Sequence, residues 1–134
     1  MQDRPTFDEL LEAVAGYLRD DVMPNTQGRL SFHARVSMNV VEMLRRELAT
    51  MEEHLAREWD GLDRLLGVEP MPPRLAGVRE ALLRRNADLC ERIRKGDADE
   101  GPWRLAVLSH LRTVTLDKLE VSNPGLAAEY RDRA

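Results

Sequence analysis

His33, Arg35, Asn39, Glu42 and Arg46 are the side chains whose types and spacing offer the most chemistry in this chain. They follow Ser31-Phe32 at the start of a long helical stretch. Arg35, Asn39, Glu42 and Arg46 recur every three or four residues, so on a helix they project in one direction over about three turns. Arg35 and Arg46 can each grip a carboxylate or phosphate through a two-pronged hydrogen bond. Asn39 is unusual inside a helix, because its amide competes for backbone partners. Two readings stand open. The strip, with His33, contacts a ligand or partner; or it is a structural ladder in which Glu42 pairs with Arg46 at one-turn spacing.

Other reactive groups are poorly grouped. His33, His54 and His110 fall on three different helices, and no His-Glu-x-x-His, Cys-x-x-Cys or paired Glu-x-x-His spacing occurs. His54 and Glu58 sit one turn apart, a pairing that arises by chance on charged helices. Cys90 lies in an apolar stripe near a helix C-terminus, where the dipole opposes a thiolate, so a packing role is expected. There is no nucleophile elbow and no glycine-rich phosphate loop. The expectation is no catalytic residue, no metal and no cofactor. Arg84-Arg85 and Arg92-Ile93-Arg94-Lys95 alternate with Glu80, Asp88 and Glu91 and read as solvated helix faces. Trp59 and Trp103 read as core or interface anchors.

The elements that must position these groups are helices. Thr6 and Glu9 form a capping-box pattern ahead of Leu10, Leu11, Val14, Ala15 and Leu18, and this helix should stop near Asp21, ahead of Pro24. A second helix begins at Arg29 to Ser31, with an apolar stripe of Phe32, Val36, Val40, Met43, Leu44 and Leu48. The periodicity continues through Met51, Leu55, Trp59, Leu62 and Leu66. Such a length is unusual in a compact domain, so a break is expected near Ala49 to Met51, with a third helix closed by Gly67. Pro70, Pro72 and Pro73 make a stiff connector. A fourth helix runs from Leu75 to Lys95 and ends at Gly96. A fifth starts at Pro102, buries Trp103, Leu105, Leu108, Leu111, Leu116 and Leu119, and stops at Asn123-Pro124-Gly125. The expected fold is all-α: a single-domain bundle of about five helices over residues 1–134, mostly antiparallel, with residues 1–5 and 124–134 as loosely ordered ends.

Composition sets the class. The chain has 134 residues, 43% hydrophobic and 33% charged, which is a globular balance. With 20 Lys and Arg against 24 Asp and Glu, the net charge is -4, so no general grip on nucleic acid is expected. One cysteine excludes an intramolecular disulfide. No apolar run approaches the ~20 residues needed to span a bilayer, and no charged-then-apolar leader opens the chain. No membrane contact and a cytoplasmic location are expected. Long apolar stripes also point to a homodimer.

The order of Pro5-Thr6 with Glu9-Leu10-Leu11, Phe32-His33-Ala34-Arg35-Val36 with Asn39, and Arg46-Glu47-Leu48 is distinctive. It continues with Leu65-Leu66-Gly67, Leu89-Cys90-Glu91-Arg92-Ile93-Arg94 with Gly96, and Lys118-Leu119 with Asn123-Pro124. This resembles a bacterial domain family of unknown function, over nearly the whole chain. Its members stand beside, or fused to, aminoglycoside-phosphotransferase-like kinases and near acyl-CoA dehydrogenases. The resemblance carries over no catalytic residue. It implies a non-catalytic helical accessory or interaction protein with a kinase-like partner, serving acyl-CoA-related catabolism. The alternative is a binding module for an anionic acyl or phosphate compound, built on the polar strip.

Overall fold

A computed structural model describes residues 3–132. The fold is all-α, and the described residues contain no strand. Five helices follow in order: α1 Phe7–Gly16, α2 Gly28–Leu66, α3 Leu75–Arg94, α4 Gly101–Ser122 and α5 Pro124–Asp132, with a π-helical turn, Tyr17–Val22, between α1 and α2. Contacts gather the residues up to Thr50 into one compact unit and those from Met51 onward into another. No helix among the described residues is long and apolar enough to cross a membrane.

Local chemistry explains most boundaries. Thr6 and Glu9 close the capping box: the Glu9 backbone N–H donates to Thr6 Oγ1 at 3.2 Å, and the Thr6 N–H donates to Glu9 Oε2 at 2.7 Å. The π turn is closed by Thr26 and Asn25, whose side chains donate to the carbonyls of Val22 (2.7 Å) and Asp21 (2.8 Å). Helical geometry thus persists to Val22 rather than ending cleanly before Pro24. At the far end of α2, Gly67 takes φ 104°, the left-handed cap conformation that a side chain resists.

Two expectations are corrected. The first is the break at Ala49–Met51: α2 runs unbroken for 39 residues. No Pro or Gly lies between Leu30 and Asp60, and nothing else interrupts the backbone ladder. The second is the loose end from residue 124. Residues 124–132 form α5, whose first turn is capped by Asn123 Oδ1 accepting from the Leu126 N–H at 3.2 Å. Pro124 opens the helix where its missing N–H costs nothing. The ends expected at residues 1–2 and 133–134 lie outside the described residues.

In the unit up to Thr50, α2 is tied by ion pairs to α1 and to the π turn. Arg45 donates to Asp8 Oδ1 at 2.8 Å and to Glu12, and Arg19 donates to Glu42 at 3.0 Å. Among the described residues of this unit, the fully buried apolar ones are two alanines, Ala15 and Ala34. The unit from Met51 onward has the real core. Trp59, Leu62 and Leu65 of α2 meet Val78, Leu82 and Leu89 of α3 and Val107 of α4, with Trp103 and Ile93 packed against them. Trp59 and Trp103 are therefore core residues, as their size demands.

The buried stripes of α3 and α4 differ from the leucine pattern. On α3 the stripe is Val78, Leu82, Arg85 and Leu89, and Arg85 is fully buried rather than solvated. Cys90, one residue round the helix from Leu89, is exposed rather than packed. On α4 the stripe is Val107, His110, Val114, Asp117 and Val121, at spacings of three and four. Leu105, Leu108 and Leu111 are exposed.

Candidate functional site

The polar strip on α2 is only partly gathered. Arg35, Asn39, Glu42 and Arg46 do share one flank of the helix, but their partners differ. Glu42 is half-buried and faces Arg19 and Arg45, with Arg45 Nη1 at 3.4 Å, so its contacts run to the π turn and to its neighbour on the helix. Arg35 and Asn39 are exposed, while Arg46 is half-buried. His33 is exposed roughly 120° round the helix from Asn39, where its ring accepts a hydrogen bond from Arg29 Nε at 3.1 Å. The residue that organises this region is Arg45. It holds the Asp8 carboxyl below its ordinary range, and Asp8 in turn raises Arg45. Its signal was the acidic first helix, with Asp8, Glu9 and Glu12 awaiting a cation.

On the side of α2 away from Ala34, Val41 and Arg45 lies an apolar face. Phe32, Val36, Val40, Met43 and Leu44 are all exposed; Phe32 is 62% and Val40 51% accessible. The stripe read as this helix's core side is therefore its outward side. Along α1, Phe7, Leu10, Val14 and Tyr17 are also exposed, at spacings of three, four and three. The α2 face alone offers on the order of 500 Å² of accessible area, the size of a typical monomer's largest patch, which is often functional.

The second unit holds a polar cluster in its interior. Asp117 of α4 is 4% exposed, and Arg57 Nη1 of α2 donates to its Oδ1 at 2.7 Å. Arg57 also pairs with Glu53. His54 Nε2 lies 3.2 Å from Glu120 Oε2 and 3.9 Å from Asp117 Oδ1. Arg131 of α5 holds Glu120 Oε1. The His54–Glu58 pairing is not formed; Glu58 instead accepts from Asn86 Nδ2 at 2.7 Å.

His110 sits beside Gly61 on a cleft of 340 Å³ that also meets Arg57, Arg64, Ser109 and Thr113. Glycine in mid-helix costs about 1 kcal/mol against alanine, and here the neighbour explains it. A Cβ on Gly61 would fall 2.7 Å from His110 Cε1 and nearer still to Nδ1. Gly61→Ala should therefore destabilise by a net ~1 kcal/mol, overpacking of ~1–3 kcal/mol outweighing the gain in helix propensity. Urea unfolding measures it, and a more stable variant would refute the close contact.

Burial lowers the pKa of His110, with Arg64 and Lys118 adding to the effect and Glu58 opposing it. The native ring stays neutral where the unfolded chain takes up a proton, near pH 6.5. Stability therefore falls as pH drops below that value and levels off below the folded pKa. Melting temperatures taken from pH 7.5 to 5 should decline more steeply for the wild type than for His110→Gln. Parallel declines would remove the His110 contribution.

Residues 24–126 match the model of a protein family described as Domain of unknown function (DUF6285). No curated protein and no solved structure matches the chain.

Proposed function

The chain belongs to this domain family, and on that premise we propose that it is a non-catalytic helical accessory protein of the cytoplasm. It pairs with a second copy of itself and serves a phosphotransferase-like enzyme in acyl-CoA-related catabolism. The pairing rests on one observation: among the described residues of the first unit Ala15 and Ala34 are the fully buried apolar ones, while Phe32, Val36, Val40 and Met43 stand exposed along one face of α2.

A second copy suits this face for two reasons. It is a contiguous apolar patch of the size that marks an interaction site. Its charges also complement themselves, since Arg29 lies at one end of the face and Glu47 at the other. Crossing two α2 helices antiparallel near Met38 sets Arg29 against Glu47 of the partner subunit, Val36 against the partner's Val40 and Phe32 against the partner's Leu44. Spacings of three and four then interlock as in a helical bundle.

The accessory role is supported by the resemblance to kinase-linked domains. Light scattering on the eluting protein should give the mass of two chains rather than 15.3 kDa; a monomer at micromolar concentration would overturn the pairing. Co-expression with a kinase-like gene product encoded beside it should give one co-eluting complex. Separate elution would overturn the accessory role and leave the pairing standing.

A further inference from the structure

We propose that His54, Asp117 and Glu120 bind one divalent transition-metal ion of the zinc class, a site independent of the α2 face. His54 comes from α2, while Asp117 and Glu120 lie three residues apart on α4 and so share a face. One ligand atom from each lies within 4.8 Å of the others. His54 Nε2 lies 3.2 Å from Glu120 Oε2, close to the edge of a coordination polyhedron with bonds near 2.0–2.2 Å, and 3.9 Å from the Asp117 carboxylate at Oδ1.

The decisive atom is Asp117 Oδ2. It is buried and has no hydrogen-bond partner, in a residue only 4% exposed. Native interiors rarely leave a carboxylate oxygen unmet. The imidazole–carboxylate hydrogen bond accounts for Glu120 Oε2 and Arg57 accounts for Asp117 Oδ1, which leaves Asp117 Oδ2 as the carboxylate oxygen still open to a cation. Arg57 on Asp117 Oδ1 and Arg131 on Glu120 Oε1 hold the carboxylates in place. Ligating carboxylates are commonly held this way by outer hydrogen bonds. The imidazole selects zinc-like transition metals over magnesium, and three protein ligands leave a position for water. The side chains of His54 and Glu120 are 14% and 24% accessible, which gives an ion a way in.

The test is titration of chelator-treated full-length protein with zinc chloride, followed calorimetrically, and with cobalt(II), followed by visible absorption. One ion per chain is expected, with at least tenfold weaker magnesium binding. His54→Ala and Glu120→Gln should each weaken zinc binding at least tenfold and remove the cobalt absorption, while His33→Ala leaves both unchanged. Both variants spare the Asp117–Arg57 pair, and unchanged circular dichroism verifies that they fold. Absence of saturable zinc binding, equal affinity for magnesium, or wild-type affinity in both site variants would overturn the proposal and assign Asp117 Oδ2 to a water.

Discussion

Replacing Arg85 with alanine should cost about 3–5 kcal/mol of folding stability, the price of stranding one half of a buried ion pair. Arg85 has no exposed surface. Its Nη1 donates to Asp63 Oδ1 at 2.7 Å and its Nη2 to the Gly67 carbonyl at 2.7 Å, while its guanidinium lies 4.8 Å from the Trp59 ring centroid. One side chain thus answers a carboxylate, closes the C-terminal end of α2 and packs against the largest core aromatic. Alanine leaves Asp63 without this donor and opens a cavity beside Trp59. Lysine keeps the charge but loses the planar fork, so Arg85→Lys should recover less than half of the loss. Replacing the pair together, as Arg85→Met with Asp63→Leu, removes both buried charges and should recover most of it. Urea unfolding of the four proteins decides the matter. A loss below about 1 kcal/mol for Arg85→Ala would show that the network contributes little.

Arg85 also shows where sequence reading stops. Caps and connectors were legible, because Thr6 with Glu9, Gly67, Gly96 and Pro102 act through their own backbones and nearest neighbours. Arg85 looked solvated because it lies among arginines and acids, and only tertiary packing sets it at a core position beside Leu82 and Leu89. The same holds for α4, where the leucines drew attention while His110 and Asp117 occupy the buried stripe. The unbroken α2 was misjudged from typical lengths, although no residue in it demands a break. The Asn123-Pro124 signal was read only as a stop, yet an asparagine cap followed by proline is equally a start. Of the candidate strip, the shared flank of Arg35, Asn39, Glu42 and Arg46 was legible. Their partners were not, because Arg19 and Arg45 take Glu42 away from the rest.

A single charge placed at the centre of the α2 face should dissolve the pairing. In the proposed antiparallel arrangement Val36 and Val40 would face each other across the two-fold axis, so Val40→Asp would put two carboxylates into the interface at once. Each loses water without gaining a cation, and a few kcal/mol for each raises Kd by more than ~100-fold. The folded chain should tolerate the change, since Val40 is half exposed in it. Sedimentation should then find a monomer with an unaltered helical spectrum. The ends of the face give the sharper result. Arg29→Glu alone sets two acids together at each end, as Glu47→Arg alone sets two bases together, and either should weaken pairing by about tenfold. Combined in one chain, the two changes restore opposite charges and should restore pairing. That recovery depends on residues 29 and 47 meeting across the axis, because a partner of any other kind has no reason to accept the swap. Pairing left weak in the double variant would reject the antiparallel register even if the protein remains a dimer.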